Sequence, residues 1–275
     1  MKREDIRIRD PFIVTDKEHN CYYMYGTTDL EYGSLRAGHT FTVYKSYDLE
    51  NFDDGKIIFD GSEIGFWADR DYWAPEVHIY NGKYYLFGSF KSEDHRRATQ
   101  ILVCDTPDGK FKPISQKPVT PEDWECLDGT LWVENGTPYI VFCHEWVQVT
   151  DGEMWAMPLT EDLSAPAGEP FMLFRASDNP YVEMASKENY VTDGPFLYND
   201  GDGKTKMIWS SFRGGKYAIF HAESDSIHGQ WTHGAPHFDF DGGHAMLFET
   251  LDGKKMISLH SPNKANYERA QFYEI

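Results

Sequence analysis

Asp128-Gly-Thr-Leu-Trp-Val-Glu-Asn-Gly-Thr-Pro-Tyr-Ile-Val-Phe-Cys-His-Glu-Trp146 opens on a carboxylate, runs through a short apolar segment, turns at Asn135-Gly136 and returns through Tyr139 to Cys143. Asn-Gly between two apolar runs is a strong hairpin signal, because a tight hairpin turn needs positive φ and these residues tolerate it. The two strands of a hairpin are antiparallel, so the start of the first and the end of the second share one edge of the sheet. Asp128 and the trio His144, Glu145 and Trp146 are therefore expected to be neighbours.

Working outward, the same template recurs in four other places. Asp10 to Val14 leads through a turn at Asp16 to Asn20 into Cys21 to Gly26, and Glu76 to Tyr80 turns at Asn81-Gly82 into Tyr84 to Phe90. Asp193 to Tyr198 turns at Asp200 to Gly203 into Met207 to Phe212, and His244 to Phe248 turns at Asp252-Gly253 into Met256 to Ser261. A third run of strand-forming residues follows each of the first four hairpins in chain order: Phe41 to Tyr44, Gln100 to Val103, Met154 to Met157 and Tyr217 to Phe220. A polar turn with an apolar plug comes next, at Ser46 to Phe52, Asp105 to Phe111 and Ser224 to Trp231, with a partial copy at Thr160 to Leu163. Spread over 275 residues, five units have about 55 residues each, a little more than a four-stranded propeller blade. The expectation is an all-β, five-bladed β-propeller, a single domain over residues 1–275. A β-sandwich with repetitive strands is the competing architecture. The fifth unit stops after Arg269 to Tyr273, which leaves two ways to finish the ring: Ile6 to Arg9 closes it, or the last blade is short.

Composition narrows the partners. The chain carries 8 Trp, 17 Tyr and 18 Phe, more than a core needs, which suits strands or a sugar-binding surface. A net charge of -19 argues against nucleic acid and anionic membranes, both of which need a basic face, and does not oppose a neutral carbohydrate. No apolar run approaches a bilayer span, and Met1-Lys2-Arg3-Glu4-Asp5 has no apolar h-region, so a cytoplasmic protein is expected. Cys21, Cys104, Cys126 and Cys143 form no Cys-x-x-Cys pair, and reduced thiols are expected. Zinc at Cys126, Cys143 and His144 lacks ligand spacing.

In a propeller the innermost strand of each blade lines the central axis. Asp10, Glu76, Asp128, Asp193 and His244 would then head the five inner strands and converge on one face. Four acidic groups at one mouth raise one another's pKa, so at least one should hold a proton near neutral pH. A protonated carboxyl beside an ionised one is what glycoside hydrolysis requires: one gives a proton to the departing oxygen, the other takes one from the attacking water. Each residue alone reads as a turn opener bonded to its own backbone. Asp10, Asp128 and Asp193 at matching positions of three units read as a site.

The ordered set Arg9-Asp10-Pro11-Phe12, Trp73-Ala74-Pro75-Glu76, Asp128-Gly129-Thr130-Leu131, Asp193-Gly194-Pro195-Phe196 and Gly242-Gly243-His244 resembles glycoside hydrolase family forty-three, over nearly the whole chain. That family contains β-xylosidases, α-L-arabinofuranosidases and arabinanases on a five-bladed propeller. The resemblance implies an inverting hydrolase of arabinose- or xylose-containing oligosaccharides. It makes Asp10 the general base and Asp128 the carboxylate that orients and tunes the acid. The acid should head the fourth blade, where the family usually has Glu before Gly-Pro and this chain has Asp193. Three readings follow from that shorter side chain. Asp193 is still the acid; Glu145, at the same mouth as Asp128, serves instead; or the chain is a non-catalytic carbohydrate-binding propeller.

Trp73, Phe90 and Trp146 fall at strand ends on the expected site face, where aromatic rings pack against sugar C–H faces, and Glu76 joins them as a substrate-binding candidate. Phe212 reads as core, and Trp67 as a contributor from the loop before the second blade. His244 is the one metal candidate. No cofactor is required by the implied chemistry; an axial calcium facing His244 would need waters as its other ligands, because calcium prefers oxygen. The connections Asp29 to Gly38, Lys91 to Thr99 and Ala176 to Tyr190 are long enough to wall off a pocket and favour exo cleavage.

Overall fold

The computed structural model describes residues 1–28 and 38–275. Its strands form five antiparallel sheets, each running outward in chain order. The first blade is β1 (Arg9–Asp16), β2 (Cys21–Thr27), β3 (Thr40–Ser46) and β4 (Lys56–Asp60). The second is β5 (Arg70–Tyr80), β6 (Lys83–Lys91), β7 (Ala98–Cys104) and β8 (Lys112–Pro113). The third is β9 (Cys126–Glu134), β10 (Thr137–His144), β11 (Glu153–Pro158) and β12 (Phe171–Arg175). The fourth is β13 (Asp193–Tyr198), β14 (Thr205–Arg213), β15 (Lys216–Ser224) and β16 (Thr232–His233), and the fifth has three strands, β17 (Gly243–Glu249), β18 (Lys255–Ser261) and β19 (Arg269–Glu274). The inner strands β1, β5, β9, β13 and β17 touch one another in a closed circuit. This is the five-bladed β-propeller read from the repeats.

The local signals act as their chemistry dictates. Asn135-Gly136 and Asn81-Gly82 both take positive φ at both residues, the twist that a two-residue hairpin turn needs. The apolar plugs of the second cadence, Leu49, Phe52, Phe111, Leu163, Ile227 and Trp231, are all buried. Hydrophobic packing lies between blades. One cluster joins the first and second blades to the fifth, and others fill the second-third, third-fourth and fourth-fifth clefts.

Among the described residues the ring closes without a fourth strand in the last blade. Residues 1–8 run instead across the seam between first and last blades. The Arg3 N–H donates to the Glu50 carbonyl (2.9 Å) and the Phe52 N–H to the Met1 carbonyl (2.8 Å) on the first-blade side. On the fifth-blade side Arg269 Nε donates to the Glu4 carbonyl (2.7 Å), and the Arg3 guanidinium lies 4.9 Å from the Phe272 ring centre. Ile6 and Ile8 are buried in the seam. The four cysteines are free. Among the described residues no helix is long and apolar enough to cross a membrane. The connection expected to wall the site at Asp29 falls on residues 29–37, outside the described residues.

Candidate active site at the mouth of the axis

Every inner strand carries a bulge at the same point. Between the pairs Arg9↔Thr27 and Phe12↔Tyr25, Asp10 and Pro11 face Gly26 alone. The same two-against-one step sets Ala74 and Pro75 opposite Gly88, Asp128 and Gly129 opposite Phe142, Gly194 and Pro195 opposite Trp209, and His244 and Ala245 opposite Leu259. The first residue of each bulge has positive φ: 54° at Asp10, 45° at Ala74, 55° at Asp128, 50° at Gly194 and 53° at His244. For the four that are not glycine this costs about 1–3 kcal/mol each, and it persists only where the surroundings over-determine it. Proline at the second bulge position in three blades is tolerated because that residue need not donate to the ladder.

The surroundings are a ring of hydrogen bonds from blade to blade. Each bulge N–H points at the residue near the end of the preceding blade's second strand. Ala74 donates to Thr27 Oγ1 (2.7 Å), Asp128 to Ser89 Oγ (2.9 Å), His244 to Ser210 Oγ (2.8 Å) and Asp10 to His260 Nδ1 (3.2 Å). The matching residue in the third blade is Cys143, whose thiol is a weak acceptor. There the N–H of Gly194 donates instead to Asp128 Oδ2 (2.9 Å). The one break in the ring thus anchors the Asp128 carboxylate. Gly194 has to be glycine: a Cβ would stand 2.7 Å from the His244 ring. Replacing Cys143 with serine should supply the missing acceptor and draw Gly194 away from Asp128. Any turnover that depends on Asp128 should fall about ten-fold, the scale of one hydrogen bond to a charged group, whereas Cys143→Ala should stay within a factor of about two. Equal activity in the two variants would rule out the acceptor role.

The bulge register changes the sequence picture of five equivalent side chains. Asp10, Asp128 and His244 occupy the same position, but Asp193 lies one residue earlier, in register with Arg9, Trp73 and Leu127. All seven line one cavity of about 230 Å³, together with Thr27, Glu145, Trp146 and Tyr217. Glu76 lies two residues past the bulge position, which Ala74 fills. It is buried against His78 (3.0 Å) and does not line the cavity, so the expected sugar contact is replaced by a place deeper along the strand. Phe90 is likewise not brought to the cavity. It is fully buried, edge-on to Tyr72 (4.8 Å) and Phe66 (4.9 Å) in the core between the first two blades. Trp67 packs there too, its indole N–H on Gln100 Oε1 (3.0 Å). Phe212 packs on Tyr217 (5.4 Å). His144 turns away to Glu153 (3.2 Å) and stacks on Trp124, whereas Glu145 and Trp146 line the cavity as the hairpin argument expects.

Charge inside the cavity is finely divided. Thr27 Oγ1 donates to Asp10 Oδ2 (2.7 Å), and Asp10 Oδ1 lies 3.2 Å from His244 Nδ1 and 3.4 Å from His260 Nδ1. Burial alone would raise Asp10, but the neighbouring His244 and Arg9 hold it well below the ordinary carboxylate range. Burial pushes Asp193 up to about 7, with the Asp128 charge adding to the rise. Burial also pushes Asp128 up to about 6, against the pull of His244. His244 is raised in spite of its burial, by Asp10 and Asp128 on either side. Asp10 is thus favoured as the ionised carboxylate, while burial favours the protonated forms of Asp128 and Asp193.

Three residues leading into third strands support this set, and none was singled out from the sequence. Arg97, Tyr217 and Glu268 occupy one register position in the second, fourth and fifth blades. Arg97 Nε donates to Glu145 Oε2 (3.2 Å), its NH1 lies 3.2 Å from Asp71 Oδ2, and its guanidinium lies 3.7 Å from the Trp73 ring centre. Tyr217 donates its hydroxyl to Asp193 Oδ2 (3.0 Å), and Glu268 Oε1 accepts from Arg9 NH1 (3.2 Å). Aligning the third strands by the hairpin repeat would have found the position.

His244 Nε2 is buried without a partner, and no group of three or more His, Cys, Asp or Glu among the described residues is arranged to hold a metal. Calcium takes six to eight oxygen ligands. His244 would give such a shell one nitrogen, and waters would have to supply its oxygens.

A five-bladed propeller with a cluster of three buried carboxyl groups in one cavity has the equipment of a glycoside hydrolase. Residues 5–273 match the profile of glycosyl hydrolases family 43, and the chain belongs to that family. It aligns over its whole length with the crystal structure of an endo-arabinase from Bacteroides thetaiotaomicron VPI-5482, at 40% identity and a TM-score of 0.91, covering 96% of that chain. It is 26% identical over 176 residues to extracellular endo-alpha-(1->5)-L-arabinanase 1 of Bacillus subtilis (strain 168), a match covering 59% of this chain and 52% of that enzyme. It is 23% identical over 241 residues to a xylosidase/arabinosidase of Bacteroides ovatus, covering 77% of this chain and 72% of that one. The chain spans about half the length of the Bacillus enzyme.

Proposed function

We propose that this chain is an inverting arabinanase that cleaves α-1,5-linked arabinan and its oligosaccharides. The observation that carries the chemistry is the convergence of three carboxyl groups, Asp10, Asp128 and Asp193, on one cavity, each with its own hydrogen-bond donor: Thr27, the Gly194 N–H and Tyr217. The neighbouring cations favour the ionised form of Asp10, and burial favours the protonated form of Asp193. Asp10 takes a proton from the water that attacks the anomeric carbon. Asp193 gives a proton to the departing oxygen as the C–O bond breaks. Asp128, tied to the Gly194 N–H, holds the acid's proton in place by its charge. Attack from the face opposite the leaving group inverts the anomeric carbon. No step uses a metal.

Glu145 is the weaker candidate for the acid. Its Oε2 accepts from the Arg97 guanidinium, which has no acceptor and cannot reverse the bond, whereas the Tyr217 hydroxyl on Asp193 can turn and accept. Trp73 and Trp146 suit the faces of the sugar. A cavity below the roughly 300–1,000 Å³ of drug-sized sites suits about one sugar ring, so a polymer would spread across the propeller face. Arabinan as substrate is favoured by the 40% identity to the Bacteroides endo-arabinase. Xylo-oligosaccharides are the second substrate to test.

The test is proton NMR of the first product released from linear α-1,5-arabino-oligosaccharides, with chromatography of products from debranched arabinan. A first product of β configuration and a spread of oligosaccharides are expected. A product of α configuration would overturn inversion. Binding without reducing-end release would favour a carbohydrate-binding propeller, and activity confined to xylosides would overturn the substrate.

A further inference from the structure

We propose that Tyr217 is a catalytic residue, a proton relay through which the short side chain of Asp193 reaches the glycosidic oxygen. The inference rests on the reading of Asp193 as the acid. Tyr217 lies at the start of the third strand of the fourth blade, leading in from the Gly214-Gly215 turn, and its side chain reaches the inner strands at Asp193 and Gly243. Its hydroxyl donates to Asp193 Oδ2 at 3.0 Å, and both residues line the cavity. The ring stacks on His260 (5.6 Å, 22° between planes) and packs at a tilt against Phe212 (5.4 Å, 55°). Space for it is reserved at Gly243, where a Cβ would stand 2.4 Å from the Tyr217 ring. A buried phenol held this firmly against one carboxyl does more than fill a gap.

The charged groups facing the phenol are Asp193, Asp10, Asp128 and Arg9, with His260 stacked on it and Asp241 near its backbone N–H (3.4 Å). Burial and the carboxylates push the phenol well above its ordinary value. A free phenolate therefore does not accumulate, and the relay has to be concerted. As the C–O bond breaks, its electron pair goes to the glycosidic oxygen, which takes the phenolic proton. In the same event the phenolic oxygen takes the proton of the Asp193 carboxyl. Asp193 ends as a carboxylate and Tyr217 ends neutral. At rest the hydrogen bond runs the other way, from phenol to carboxylate, so protonation of Asp193 sets the relay.

The test compares Tyr217→Phe, Asp193→Asn, Asp193→Glu and the double variant Tyr217→Phe/Asp193→Glu. Substrates are arabino-oligosaccharide and aryl arabino-oligosaccharides of graded leaving-group basicity. With the relay, Tyr217→Phe loses about 10²-fold or more on the natural linkage, the range of general acid catalysis, and stays within about ten-fold on the best aryl leaving group. The longer glutamate reaches the oxygen itself, so it restores at least ten-fold of the loss in the phenylalanine background. A proton inventory on the unmodified protein, which needs no variant to fold, should curve as two protons move. If Asp193→Asn keeps its activity on oligosaccharide, the acid assignment falls and the relay with it. If Asp193→Asn is lost on oligosaccharide and retained on the best aryl substrate, but Tyr217→Phe shows no dependence on leaving group or the inventory is linear, the acid stands and the relay is overturned.

Discussion

Asp10→Asn should lower kcat on α-1,5-arabino-oligosaccharide by about 10²–10⁴-fold, the contribution of a positioned general base, while KM changes only a few-fold. The amide is nearly isosteric. It can keep the Thr27 hydrogen bond (2.7 Å) and the strained backbone held by His260 (3.2 Å). What it loses is the negative charge, and with it the means to take a proton from water. Azide, a nucleophile that needs no base, should restore turnover and give an arabinosyl azide of inverted configuration. The stability of the variant has a definite sign. Asp10 is held well below the ordinary carboxylate range by its cationic neighbours. Such a group stabilises the fold at pH values above its unfolded pKa, and this stabilisation is lost as pH falls toward the folded one. Asp10→Asn should therefore melt lower than the parent at neutral pH, with the gap closing in acid. A loss of less than ten-fold in kcat, with no azide effect, would remove Asp10 from the role of base.

The contrast between Asp10 and Glu76 shows what the sequence can disclose. Asn135-Gly136 and Asn81-Gly82 mark their hairpins because a tight turn has few ways to be built, and five hairpins give the propeller. The phase of each inner strand is set by a bulge, and nothing in an apolar-polar pattern counts the extra residue. Pattern alone therefore aligns Glu76 with Asp10 although Ala74 holds that position, and aligns Asp193 although it stands one residue early. Phe90 fails for a related reason. It follows Ser89, which points at the axis, and alternation sends the next side chain into the core between blades. Arg97, Tyr217 and Glu268 were out of reach because strand propensity says nothing of what a residue touches across a blade. The cavity's proton balance depends on Asp128 meeting Gly194, residues 66 apart in the chain. The kinds of residue were legible; their partners come only from the closed ring.

Asp193→Asn should separate substrates by their leaving groups. On arabino-oligosaccharide, whose departing alkoxide needs a proton, kcat should fall by about 10²–10⁴-fold. On an aryl glycoside with a good leaving group the loss should be under ten-fold, because that oxygen departs without help. The pH profile supplies an independent readout. Burial and the Asp128 charge push Asp193 up to about 7, and an acid works only while it keeps its proton. In the parent, kcat/KM on oligosaccharide should fall as pH rises through about 7; in Asp193→Asn the residual activity should lack that limb. Stability follows from the same shift. A carboxyl whose pKa is raised on folding holds a proton that the unfolded chain has released, so the parent loses stability as pH rises from the unfolded value of about 3.9 toward 7. Asparagine never ionises, and the variant should melt higher than the parent above pH 7, trading activity for stability as groups held at a functional site often do. Glu145→Gln is the companion variant, since Glu145 lines the same cavity and is paired with Arg97. It should weaken oligosaccharide and aryl substrates alike and keep the basic limb, moved to lower pH because the Glu145 charge adds to the rise of Asp193. If instead the leaving-group dependence and the lost limb appear in Glu145→Gln and not in Asp193→Asn, the acid is Glu145, and the 3.2 Å contact with Arg97 must open for it to act.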